Sequence, residues 1–162
     1  MERAIGIRVS PTEVYYTILQ MNEQGTVDYV NESLIIPKAL DVPRKLSYIR
    51  TSLFSLICEY GITKAGLRIV EGVSRNNDPF RVNIEGVIQE LLANSTVSYY
   101  FTGRLDTIGS KFGKHKSLMK DCRDAKINEF NIPGWEKFHA NHRESFLVGY
   151  ATIYKKDGAG EE

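Results

Sequence analysis

The sequence predicts one α/β domain, a mixed five-stranded sheet with helices on both faces. Three observations carry that expectation. Three β-rich stretches follow one another through short turns, the apolar spacing then changes to a helical period, and two further short strands alternate with helices. In the first stretch, Ala4 to Val9, Ile5, Ile7 and Val9 share one face at period two. Ser10-Pro11-Thr12 supplies a turn into Val14 to Leu19, rich in β-branched and aromatic residues. Asn22-Glu23-Gln24-Gly25 turns again into a third strand over Thr26 to Ile36. Two short connections in succession predict an antiparallel meander.

From Pro43 the apolar residues Leu46, Ile49, Leu53, Leu56, Ile57 and Tyr60 recur at helical spacing until Gly61. Leu67 to Val70 reads as a short strand ending at Glu71-Gly72, and Ser74 to Phe80 as a loop. A second helix carries Val82, Ile84, Val87, Ile88, Leu91 and Leu92. Val97 to Thr102 is the fifth strand. A third helix is expected over about Lys114 to Lys126, and a last one from about Gly134 or Phe138 to Ile153. Right-handed crossovers make strands one, four and five parallel neighbours. Residues 1–154 then form one domain, and 155–162 a frayed tail.

Composition narrows the function classes. The chain has 162 residues, 42% apolar and 25% charged, with 21 basic against 20 acidic side chains. No apolar run is long enough for a membrane span, and Met1-Glu2 opens no secretory signal, so a cytoplasmic protein is expected. Cys58 and Cys122 are too few for a disulfide scaffold and are expected as buried thiols on apolar helix faces. No Walker loop, Rossmann fingerprint, Ser-His-Asp set or zinc spacing occurs. Charge is uneven, however: residues 103–126 hold Arg104, Lys111, Lys114, Lys116, Lys120, Arg123 and Lys126 against three acids, a local +4. Such a stretch supplies what phosphate contacts require, and it also suits a solvated helix face.

Several motifs, in order, resemble the RuvC branch of the RNase H-like superfamily, the bacterial Holliday-junction resolvases. Ile5-Gly6-Ile7-Arg8-Val9-Ser10-Pro11 is similar to that family's first strand, where Ile-Gly-Ile-Asp is typical. Ile69-Val70-Glu71-Gly72-Val73 resembles the strand that ends in the catalytic glutamate. Ile84-Glu85-Gly86-Val87-Ile88 resembles the next helix. Thr107 to Lys111 and Gly113 to Met119 resemble the Gly-x-Gly-x-x-Lys region and its helix, and Asn141 to Gly149 the closing helix with its Asp-x-x-Asp-Ala run. The resemblance implies an RNase H-like fold and an acidic site for two Mg²⁺ or Mn²⁺ ions that cut a phosphodiester.

On that resemblance Glu71 and Glu144 map onto catalytic, metal-binding acids. Arg8 and Asn141 stand where the family has aspartates. A guanidinium has no lone pair for a metal. Arg8 is therefore expected to pair with Glu71 from the adjacent strand and to take the electrostatic place of a metal ion. No cofactor is then expected, with Mg²⁺ or Mn²⁺ only if the chain cuts. Glu13, Asp78, Asp106, His139 and His142 are candidate helpers, each balanced by an ordinary surface role. Arg104, Lys111, Lys114, Lys116 and Lys120 are the expected phosphate contacts. Tyr15-Tyr16 and Tyr99-Tyr100-Phe101 are expected in the core rather than stacked on bases, and Trp135 is expected to anchor the last helix. Gly86 is expected at a close packing contact, and the resemblance makes it a homodimer seam. Three functions follow: a domain that binds structured or branched DNA, or RNA, without cutting it; a divergent metal-dependent endonuclease; and a platform for protein partners.

Overall fold

A computed structural model describes residues 2–70 and 78–154. Glu71 falls outside the described residues, as do the rest of 71–77 and the tail from 155. The meander forms as expected, with β1 (Arg3–Val9), β2 (Glu13–Met21) and β3 (Val27–Ile35). Ser10 N–H donates to the Glu13 carbonyl (3.0 Å) in the first turn, and Gly25, at φ 79°, closes the second. The chain continues through α1 (Val42–Tyr60), β4 (Lys64–Arg68), α2 (Pro79–Ala93) and β5 (Tyr99–Gly103). Asp41 caps α1 by accepting from Arg44 N–H (3.0 Å), and the helix ends at Gly61 in the left-handed region. Asp78 caps α2 by accepting from Phe80 N–H (2.8 Å).

The sheet order is β3-β2-β1-β4-β5, with β1, β4 and β5 parallel and β2 and β3 antiparallel. Alternation sorts the side chains into two cores. Ile5, Ile7, Val9, Val14, Ile18 and Leu67 pack with α1 and α2 on one side. On the other, Ala4 and Leu19 meet Trp135 and three more helices, α3 (Leu105–Phe112), α4 (Lys116–Arg123) and α5 (Ala140–Ile153).

α5 lies against the sheet with unusual closeness, buried without a break from Arg143 to Gly149. Glycine permits this. A Cβ on Gly6 would overlap the Ser145 carbonyl, one on Gly66 the Val148 carbonyl, and one on Gly149 would come within 2.5 Å of Leu19 Cδ1 and 2.8 Å of Gly6 N. Thr17 Oγ1 and Ser145 Oγ bridge the same contact at 2.7 Å.

Several expectations need correction. β4 begins at Lys64 and ends at Arg68, although Ile69 N–H still reaches the Gly103 carbonyl (3.0 Å). The basic segment holds two helices rather than one. α3 occupies the stretch that resembled a glycine-rich loop, ends at Gly113 (φ 69°), and α4 stops before Ala125 (φ 58°). The last helix starts at Ala140, after a separate 3₁₀ turn at Trp135–Lys137. Trp135 is buried in that turn and donates Nε1–H to the Cys122 carbonyl (2.8 Å), anchoring the approach to α5. Gly86 is not at a packing contact, because a Cβ there meets nothing within 4 Å. Cys122 is buried but Cys58 is exposed, since it points from α1 away from the sheet-facing row Ile49, Leu53 and Ile57.

Glycine substitutions separate these two situations. Gly149→Ala should lower stability by about 1–3 kcal/mol through overpacking, whereas Gly86→Ala should raise it by about 0.5–1 kcal/mol by improved helix propensity. Urea unfolding of both variants checks this.

Candidate functional site

Parallel pairing brings the C-terminal ends of β1, β4 and β5 to one end of the sheet, and the register determines which side chains meet there. Ser33, Tyr15, Arg8, Arg68 and Gly103 form one cross-strand row. Residues directly opposite share a face, so Tyr15, Arg8 and Arg68 all point toward α5. The first turns of α5 lie along this row and deliver His142, Glu144 and Asn141 to it.

Glu144 is the centre. Arg8 Nε lies 2.6 Å from its Oε2 and Arg68 Nε 3.5 Å from its Oε1. The side chains of Arg68 and Glu144 are 1% and 3% exposed and that of Arg8 11%, so the triad is largely cut off from water. Arg8 also donates Nη1–H to the Arg68 carbonyl (3.4 Å), and Arg68 donates to the Ile69 carbonyl. Arg8 therefore pairs with Glu144, on the last helix. The expected partner Glu71 lies outside the described residues, and the two guanidiniums that meet Glu144 come from neighbouring strands.

Two further charges belong to the cluster. Glu85 on α2 is buried and accepts from Val70 N–H (3.2 Å). Arg81, one turn before it, acts electrostatically on both Glu85 and Arg8. Burial lowers the Arg8 pKa to about 10, against the pull of Glu144, with Arg68 and Arg81 lowering it further. Arg8 thus stays charged at neutral pH. Burial also raises the Glu85 carboxyl, and the Val70 N–H and three nearby arginines only partly oppose it. Among the described residues, three guanidiniums and two carboxylates meet here, a positive set even with both acids ionised.

The other sequence candidates are occupied nearby. Asn141 lies close enough to Tyr15 to act on its hydroxyl, which donates to Glu13 (2.7 Å). Burial first, and Glu13 second, raise the Tyr15 pKa. His139 stacks on the Tyr15 ring (centroids 5.0 Å apart) and caps α5 by accepting from Asn141 N–H (3.0 Å). His142 packs edge-on against Tyr15 and bonds the Glu32 carbonyl (2.9 Å). Asp78 caps α2, and Asp106 accepts from Thr107 N–H (2.9 Å) on an exposed turn. Sequence reasoning missed Arg68 and Glu85. The available signal was that Arg8 and Arg68 end two strands that the expected topology already made neighbours.

This donor set does not fit a divalent ion. Mg²⁺ needs several oxygens at about 2.0–2.1 Å, yet each Glu144 oxygen faces a guanidinium. Among the described residues, no three His, Cys, Asp or Glu side chains come together as ligands.

The expected phosphate contacts sit on the same side of the sheet. Arg104 is exposed just after Gly103, at the end of the sheet that holds the triad. Lys111 covers the rings of Tyr99 and Phe101 at 5.7 and 5.2 Å. Lys114 is paired with Glu129 (2.9 Å), which raises its pKa, while Lys116 and Lys120 are exposed one turn apart on α4. Tyr15 and Tyr16 are buried as expected. Tyr99 and Tyr100 are not, because β5 is an edge strand.

No known family model and no curated protein matches the sequence. Solved structures do match. Thermus thermophilus RuvC superposes with a TM-score of 0.64 at 9% identity, over 92% of each chain. The same protein in complex with Holliday junction substrate gives 0.61 at 9% identity, over 92% of this chain and 91% of that one. The fold is RuvC-like. The yeast mitochondrial Holliday junction resolvase Ydc2 agrees, with a TM-score of 0.56 at 16% identity over 92% of this chain and 76% of that one. The RuvC-like domain has the mixed five-stranded sheet of this fold, with Arg8 and Arg68 facing Glu144 at the C-terminal end of its parallel strands. Among the described residues, no helix of the domain is long and apolar enough to cross a membrane.

Two measurements test the site. Glu144→Ala should cost about 3–5 kcal/mol, because it strands two buried guanidiniums, whereas a combined Arg8→Met, Glu144→Leu, Arg68→Met variant should be near neutral or more stable. For Glu85, a raised folded pKa means that its contribution is complete below the ordinary carboxylate range and is lost as pH rises through the raised value. Glu85→Gln should therefore gain on the parent protein over the range that begins at the ordinary carboxylate pKa, about 4, and extends upward from it. A stability difference that is flat over that range would contradict the assignment.

Proposed function

We propose that this RuvC-like domain binds nucleic acid, structured or branched DNA ahead of RNA, and that its metal site is degenerate. The observation that carries the reading is the Arg8 guanidinium 2.6 Å from Glu144, where the RuvC resemblance calls for an aspartate and a divalent ion. A permanent cation there keeps the buried carboxylate satisfied without metal. Arg104, Lys111, Lys116 and Lys120 supply exposed positive charge on the adjoining surface, as phosphate contacts need. Lys114 contributes less, since Glu129 already holds it. The open face of α2 around Gly86 is where a second copy would form a homodimer seam. A cytoplasmic location belongs to the same proposal.

Gel shifts with a four-way junction, a duplex and a single strand test binding, with the junction held most tightly. Lys116→Ala with Lys120→Ala should flatten the salt dependence of affinity by up to about two units. Calorimetry should show no Mg²⁺ or Mn²⁺ binding in the millimolar range by the parent protein, and some by Arg8→Asp. Divalent-dependent cleavage that Glu71→Gln abolishes would instead establish the endonuclease reading.

A further inference from the structure

We infer that the exposed edge of β5 is a stacking site for unpaired bases of single-stranded nucleic acid. This rests on the nucleic-acid reading above and adds to it a surface separate from the Glu144 cluster. β5 closes the sheet, and among the described residues no strand pairs with its outer edge. Tyr99 and Tyr100 are 39% and 44% exposed. Consecutive strand residues point to opposite faces, so the edge offers one ring on each side. Tyr99 shares its face with the half-buried Phe101, and Lys111 lies over both rings.

A lysine near an exposed strand edge can simply discourage unwanted pairing. Two neighbouring exposed tyrosines are not explained by that, because they add apolar area where an edge is kept polar. The charges around the strand identify the ligand. Arg104 follows its last residue, and Lys64, paired with Glu2 (2.9 Å), stands in register with Tyr99 at its start. Aromatic faces flanked by cations are the chemistry by which proteins hold single strands, the rings taking bases and the cations phosphates. A second copy of the chain adding its own β5 would gain backbone hydrogen bonds but would bring like charges together. The observations therefore favour nucleic acid.

Fluorescence anisotropy with a labelled oligo(dT) and an abasic oligomer of equal length separates stacking from charge. The parent protein should bind oligo(dT) more tightly than the abasic strand. Tyr99→Ala with Tyr100→Ala should weaken oligo(dT) binding about tenfold or more and leave abasic binding nearly unchanged. Tyr99→Phe with Tyr100→Phe should retain the preference. Tyr99→Leu with Tyr100→Leu, which keeps apolar bulk on the strand, should lose it, and unfolding midpoints confirm that each variant folds. Equal affinity of the parent for both oligomers overturns the stacking site, and junction binding in the same series shows that the broader reading stands. Absence of any nucleic-acid binding at low salt overturns both. A dimer by light scattering that the tyrosine substitutions dissolve, without any oligo(dT) preference, assigns the edge to a second copy and also overturns the inference.

Discussion

Glu144 is held between two guanidiniums in a space that water scarcely reaches, and this arrangement constrains everything around it. An isolated carboxylate in such a place would be too costly to keep ionised. Here Arg8 and Arg68 reach it from adjacent parallel strands, one to each oxygen. Buried ion clusters of this kind add little net stability over apolar packing, but removing one member is expensive. Their effect is positional. The observed placement of α5 on the sheet puts Glu144 between Arg8 and Arg68, and the glycines at 6, 66 and 149 permit the close approach that this needs. Charge and sterics select the same register.

The same arrangement sets the sign of the site. A divalent ion between carboxylates leaves room for water and for a phosphodiester oxygen, whereas a guanidinium fills the space with N–H donors and accepts no further ligands. Glu85 illustrates the strength of the remaining effects. Three arginines act to lower its pKa, yet burial outweighs them and raises it. Arg8 and Arg68 make their direct ion pairs with Glu144 instead. Among the described residues, Arg104 adds a further exposed cation just beyond Gly103, at the same end of the strands.

The order of strands and helices was legible because alternation and helical spacing are local properties. The meander, the first two helices and the parallel pairing of β1, β4 and β5 follow from Ile5-Ile7-Val9, the Leu46-to-Tyr60 spacing and short turn sequences. What escaped depended on contacts far apart in the chain. Arg68 looked like an ordinary polar strand residue until its register with Arg8 placed both under α5. Glu85 looked like a helix surface residue until α2 turned it toward Val70. The α3 helix escaped because Gly109 suggests a loop, whereas in three dimensions Gly109 lets Lys114 and Met119 approach it. Cys58 and Tyr99 escaped because apolar character does not distinguish a covered face from an open one.

The two halves of the molecule divide the work along the sheet. α1 and α2 cover one face with aliphatic packing, and among the described residues the Glu85 region is the place where that layer joins the charged edge. The other face carries α5 and, around it, aromatic rings from Phe112 to Tyr154 that join α3, α5 and the loop after α4. Arg143 ties this layer together from within, donating to the carbonyls of Arg123, Trp135 and Phe138. A rigid aromatic layer under α3 and α4 is what exposed lysines on short helices require, since eight-residue helices are not stable alone. Packing on α5 therefore sets where the backbones of α3 and α4 carry the basic segment beside β5. On the proposed reading this placement orients the phosphates of a bound strand, because overall charge alone attracts every polyanion alike.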